Sequence, residues 1–204
     1  MSIISIKWRY CLLIQLLALF SPFAYAATYG DPVKGPDINF YISLGIGNSA
    51  CKFDSDRLSI PFGTLQLSDI INHAPQTKKN IQFIATECGS TANDIDMNIM
   101  SITLNTPLTT DYNGTPIIAP LQGQGYATGI GIGLYLLSDQ NDTVGELMET
   151  NTNKSYEFDV TNAPNEPSKA SIYLRAELLP LVNDKSTMTI GELSAQAWLT
   201  LSYK

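Results

Sequence analysis

Apolar residues recur at every second position along much of this chain, and that period limits its folding more than any other feature. Ile38, Phe40, Ile42, Leu44 and Ile46 form one series; Ile81, Phe83 and Ala85 form another, and Ile95, Met97 and Ile99 a third. Ile130, Ile132, Leu134 and Leu136 follow, then Ile172, Leu174 and Ala176, and finally Leu193, Ala195, Ala197, Leu199, Leu201 and Tyr203. Successive side chains on a strand point to opposite faces, so each series marks the buried face of a half-buried strand. Turn signals separate the runs: Pro61-Phe62-Gly63, Asn113-Gly114-Thr115-Pro116, Asp139 to Asp142, and Asn162 to Pro167. Only Leu67 to His73 has the pattern of a helical turn. Short strands, frequent turns and little helix predict an all-β sandwich, in one domain without tandem repeats.

The N-terminus reads as a targeting segment. Lys7 and Arg9 precede the apolar run Cys11 to Phe20, and Ala24-Tyr25-Ala26 supplies a small-x-small cleavage pattern. The run is too short to span a bilayer as a helix of about 20 residues. A signal peptide over 1–26 is predicted, and Cys11 leaves with it. Of the 204 residues, 178 then remain, with 10 Lys+Arg against 19 Asp+Glu and a net charge of −9. So acidic a chain repels phosphate backbones, which argues against a nucleic-acid partner. Cys51 and Cys88 remain as an even pair in an exported chain, and a disulfide between them is predicted. Closing that loop would constrain the unfolded chain by roughly 3–4 kcal/mol.

Motifs for catalysis or cofactors fail on inspection. Gly129-x-Gly131-x-Gly133 has its third glycine misplaced for a dinucleotide fingerprint, and no helix follows. Asp94-x-Asp96-x-Asn98 imitates a calcium loop, but Ile99 replaces its glycine and Asn105 its bidentate glutamate. One histidine, His73, leaves little scope for a Ser/His/Asp arrangement, and it reads as a surface or loop residue. Glu146 and Glu149 read as solvent-facing carboxylates, and Lys78-Lys79 is too short to bind a polyanion. No cofactor, no metal and no enzymatic activity are expected.

The two ends of the mature chain are more specific. Gly191 is fourteenth from the C-terminus, Tyr203 is penultimate, and Leu193, Ala195, Ala197, Leu199 and Leu201 alternate between them. This segment resembles the terminal motif of chaperone–usher pilins, the type 1 and P fimbrial family. Ile38, Phe40, Ile42, Leu44 and Ile46 precede Cys51 at offsets 13, 11, 9, 7 and 5, similar to that family's donor strand and first cysteine. Leu58 to Gly63 and Gly129 to Asp139 resemble two further family strands. The resemblance spans residues 38–204. On periodicity alone, both terminal segments would also suit a sandwich's own strands.

The resemblance implies an incomplete immunoglobulin-like sandwich lacking its last strand, with a signal peptide (1–26), a flexible tail (27–37), a donor segment (38–47) and a pilin domain (48–204). The missing strand would leave an apolar groove beside the C-terminal strand. A periplasmic chaperone would fill it first; a neighbouring subunit's donor strand would replace the chaperone at an outer-membrane usher. The implied product is a cell-surface fimbrium reached through the periplasm, with no membrane span in the mature chain. Five donor side chains at ~1.5–3 kcal/mol each give a gross burial on the order of 10 kcal/mol, less the cost of ordering the strand. Leu44 stands where the family usually has glycine, and the tail is too rich in Gly and Pro to pair as a strand. Both features suggest a minor, adaptor or terminal subunit rather than the bulk rod. The alternative is a single-domain tip adhesin binding a host-surface ligand, although residues 27–37 leave no room for a separate lectin domain.

Overall fold

Where apolar residues alternate, the chain is extended, and its strands assemble into two sheets around one core. The coordinates are a computed structural model describing residues 32–33, 41–46, 52–53, 58–86, 99–159, 170–182, 187–189 and 191–203. The strands are β1 (Pro32–Val33), β2 (Tyr41–Ile46), β3 (Lys52–Phe53), β4 (Leu65–Gln66), β5 (Lys78–Thr86), β6 (Ile99–Asn105) and β7 (Thr109–Tyr112). They continue as β8 (Thr115–Ile118), β9 (Ile130–Leu137), β10 (Glu146–Leu147), β11 (Tyr156–Asp159), β12 (Ala170–Pro180) and β13 (Gln196–Tyr203). One sheet runs β11-β6-β13-β2, the other β3-β5-β12-β9-β8-β7 with β10 beside β9, and β1 pairs separately with β4. The helical turn predicted near Leu67 is α1 (Leu67–Ile71).

Burial explains why the sheets face one another. Met100, Ile102, Leu104, Ala197, Leu199 and Leu201 come from one sheet. Phe83, Ile130, Ile132, Leu134, Ile172, Leu174, Ala176 and Leu178 come from the other, and all belong to a single buried cluster. In β6 the buried positions are the even ones, opposite in phase to Ile95, Met97 and Ile99. Ile95 and Met97 lie outside the described residues. The even phase wins because Ser101, Thr103 and Asn105 occupy the other face, where hydroxyls and amides remain solvated.

β12 departs from simple alternation. Its core positions are Ile172, Leu174, Ala176 and Leu178, which would leave Arg175 and Glu177 facing water, yet both are buried. The loop after β9 and the turn after α1 cover them. Arg175 donates to the carbonyl oxygens of Thr143 (2.6 Å) and Val144 (2.7 Å) and lies over the Tyr135 ring. A carboxylate oxygen of Glu177 lies 2.9 Å from His73 Nδ1 and 3.4 Å from Lys78 Nζ. His73, expected as a surface or loop residue, is half-exposed and tied to this buried carboxylate. Burial, aided by the Glu177 charge, pushes the Tyr135 hydroxyl up to about 12.

The glycine series of β9 belongs to the same face. A Cβ on Gly131 would stand 2.6 Å from Ile117 Cδ1, and one on Gly133 would stand 2.7 Å from Leu179 Cδ1. These glycines let neighbouring side chains lie across the strand, so the motif serves packing.

The loop over Arg175 is organised by Asp142. Its carboxylate accepts from the backbone N–H of Ser138, Val144 and Gly145, and those bonds hold it well below the usual carboxylate range. A depressed carboxyl stabilises the fold fully above its unfolded value, about 3.9, and the contribution fades as pH falls below that. Asp142→Asn is therefore expected to flatten the loss of stability between about pH 5 and pH 2. Urea unfolding at the two pH values checks this; parallel losses in both proteins would contradict it.

Candidate functional site: the flank of the C-terminal strand

Leu193 and Ala195 are buried just before β13, and Ala197, Leu199 and Leu201 are buried within it. Each expected groove residue with a described side chain therefore contributes to the core. Tyr203 ends the strand opposite Met100, and its side chain lies outside the described residues. The intervening side chains face outward: Trp198 is 40% exposed, and Ser202 exchanges a hydroxyl contact with Ser101 at 2.8 Å. One long side of β13 pairs with antiparallel β6, from Trp198↔Asn105 to Tyr203↔Met100.

The entry to β13 is pinned at several points. Glu192 N–H donates to Gly125 O (2.7 Å), Ala127 N–H to Glu192 O (2.8 Å), and Leu121 N–H to Ser194 O (2.8 Å). Gly191 sits inside this pairing. A Cβ there would stand 2.5 Å from the Tyr126 carbonyl carbon and 2.6 Å from both Ala127 N and Gly125 O. Those are backbone atoms, so no rotamer change relieves the clash. Thr106 Oγ1 donates to Gln196 O at 2.8 Å. Asn151 clasps Thr106 by accepting from its N–H (2.9 Å) and donating to its carbonyl (2.8 Å). Neither Thr106 nor Asn151 stands out in the sequence; a buried threonine in a proline-flanked turn leaves no periodic signal.

The other long side of β13 holds β2. Its pairs run Gln196↔Tyr41, Ala197↔Ile42, Trp198↔Ser43, Leu199↔Leu44, Thr200↔Gly45 and Leu201↔Ile46. This register sets the alternating apolar positions of the expected donor segment beside those of the terminal strand. The groove expected to stand open is therefore flanked in cis by the chain's own residues. The pairing is parallel, whereas all other paired strands among the described residues are antiparallel. Within the segment expected to be a tail, Pro32–Val33 pairs with Leu65–Gln66; a proline is tolerated at the first position of so short an edge strand. Ile38, Phe40, Cys51 and Cys88 lie outside the described residues.

Among the described residues there is no cluster of metal-ligating side chains, and no helix is long and apolar enough to cross a membrane. Glu146 and Glu149 both hold Lys154, at 3.2 and 3.1 Å, and their hydrogen bonds raise its pKa. A cleft of about 760 Å³ opens beside Leu136, Asp142, Phe158 and Tyr173, away from β13.

A two-sheet β-sandwich ending in a buried, alternating strand, with an N-terminal segment on that strand's flank, defines a pilin-type fold. The chain belongs to the fimbrial protein family, whose sequence profile matches residues 38–204. Membership places it among the subunits of cell-surface pili, which associate with other subunits of the same fibre. The fold is similar to that of the P pilus rod subunit PapA, with a TM-score of 0.54 and 16% identity over 76% of this chain and 99% of that one. A weaker likeness is to the CupB6 tip adhesin from Pseudomonas aeruginosa, with a TM-score of 0.35 and 11% identity. It covers 86% of this chain and 42% of the adhesin. Comparison with curated protein sequences gave no match.

Proposed function

We propose that this chain is a non-enzymatic pilus subunit that polymerises by strand exchange, residues 38–46 of one subunit entering the flank of β13 in the next. The observation that carries the reading is the register of β2 against β13: a segment with donor-type alternation lies on the terminal strand in six consecutive pairs. A strand there satisfies the side of β13 that β6 leaves unpaired and covers the apolar positions beside it. Left bare, the same edge would be an aggregation hazard, which gives a periplasmic chaperone its role and an outer-membrane usher a substrate. The predicted signal peptide and the predicted Cys51–Cys88 disulfide fit export through an oxidising compartment.

A strand from a neighbour is not bound by the short connection that leads β2 to β3. It is free to run antiparallel, and antiparallel pairing is slightly more stable per residue than parallel. Leu44 at the usual glycine register supports a minor, adaptor or terminal position in the fibre. To test the reading, the subunit is produced with its chaperone and mixed with a labelled peptide of residues 38–48. Stable uptake of the peptide with release of chaperone is expected; a chain that stays soluble alone and never takes the peptide contradicts exchange.

A further inference from the structure

The outer face of the β5-β12-β9 sheet carries side chains that neither the core nor the flank of β13 uses. Tyr173 stands opposite Gln82 on one side and Leu137 on the other. Asn80 lies two residues before Gln82, so these two exposed amides project from one face about 7 Å apart. Gln82 Nε2 donates to the Tyr173 hydroxyl at 3.4 Å. With Gln140 from the loop after β9, these groups line a depression of about 230 Å³. Leu137 and Tyr173 also line the cleft of about 760 Å³ beside it, so the two hollows share a wall.

We propose that the two hollows together bind a neutral oligosaccharide, one pyranose resting against Tyr173 among the amides and the next units entering the larger cleft. The chemistry of the lining makes the choice. A primary amide both donates and accepts hydrogen bonds, which matches vicinal hydroxyls that do the same. A tyrosine ring offers an apolar face to the C–H side of a pyranose, with a polar group at its rim. None of these four side chains carries a charge at neutral pH to draw in an ion. In the larger cleft, Asp142, Glu146 and Glu157 are carboxylates, and no lysine or arginine stands among its described lining residues. Asp142 is already engaged by N–H groups of its own loop, and Glu146 by Lys154. The cleft is therefore rich in acceptors for sugar hydroxyls and repels acidic sugars, without offering a cation an open seat.

The wall between loop and sheet is built in advance. Arg175, buried on this face between Asn80 and Tyr135, holds the loop through the carbonyls of Thr143 and Val144. Asp142 closes the loop from within, and Asn141 N–H donates to Asp139 Oδ1 at 2.6 Å. A wall pinned this way loses little freedom on binding, so more of the contact energy appears as affinity. The site is on the sheet that lacks β13, and the inference does not depend on strand exchange. Repeated along a fibre, weak sites of this kind bind by avidity.

Biotinylated subunit gathered on streptavidin is applied to an array of neutral and sialylated oligosaccharides. Binding to a group of neutral glycans is expected, with sialylated forms of the same chains bound at least tenfold more weakly. N80A/Q82A removes two exposed amides, and it is expected to cut that binding by roughly tenfold or more while urea unfolding stays unchanged. Tyr173→Ala is expected to abolish binding, and Thr200→Ala, on the other sheet, to leave it intact. Absence of binding to every neutral glycan, a preference for sialylated chains, or binding that survives in N80A/Q82A would overturn the site. Strand exchange, tested separately by peptide uptake, would stand in each of those cases.

Discussion

Replacing Gly191 with alanine is expected to cost the fold about 3–5 kcal/mol, one of the largest effects of any single substitution here. The added Cβ would stand within 2.6 Å of three backbone atoms of Gly125, Tyr126 and Ala127. To relieve that clash the 125–127 segment must move away from Glu192. Two hydrogen bonds of 2.7 and 2.8 Å then break, each contributing about 1 kcal/mol. A domain of this kind has about 5–15 kcal/mol in total, so the variant should lose much of its margin. Urea unfolding of the purified subunit checks the magnitude, with Glu192→Ala, at an exposed position, as the reference expected to shift little. A change of less than about 1 kcal/mol would show that the 125–127 segment yields freely, and that the glycine has no packing role.

Leu199→Ala is the second large effect. Leu199 is fully buried in the middle of β13, between Leu104 of β6 and the Leu44 position of β2. Removing three carbons there costs transfer free energy and leaves a cavity, together about 2–5 kcal/mol. The same cavity underlies the strand at the flank, so peptide uptake should weaken too, by roughly tenfold for each 1.4 kcal/mol of binding free energy removed. Thr200→Ala, one residue on and half-buried on the opposite face, should stay within about 0.5 kcal/mol of wild type. Equal effects at the two positions would mean that β13 does not present the face assigned to it.

How much of this is legible in the sequence depends on what each signal encodes. A period of two reports which side of a strand is apolar, and it locates β9, β12 and β13 and their buried residues well. It does not report what covers the other side, so Arg175 and Glu177 look solvent-facing although a loop and a turn bury them. Phase is ambiguous in β6, where Ile99 and Met100 are adjacent apolar residues and either parity could begin the strand; from Met100 onward the even positions are the buried ones, while Ile95 and Met97 lie outside the described residues. Asn113-Gly114 is readable as a turn, with both residues at positive φ, but the flanking Thr109–Tyr112 and Thr115–Ile118 lack strong alternation. Gly191 is marked by its distance from the C-terminus, while its close approach to the 125–127 backbone depends on residues more than sixty positions away.

The flank of β13 shows the same division most clearly. Alternation at Ile42, Leu44 and Ile46 predicts a strand suited to the terminal strand's edge. Local pattern carries neither the identity of the partner nor the direction of pairing. Both depend on the rest of the fold, and here the segment lies parallel to its own β13.

The most direct measurement places a photo-crosslinking amino acid at Gln196, exposed and opposite Tyr41, in subunits assembled into fibres. A mixture of isotopically light and heavy chains then identifies the chain to which each crosslinked peptide belongs. The account predicts mixed light–heavy crosslinks from position 196 to residues within 38–46 of another subunit. Crosslinks in the fibre that join position 196 only to its own chain, or to no part of that segment, would contradict it.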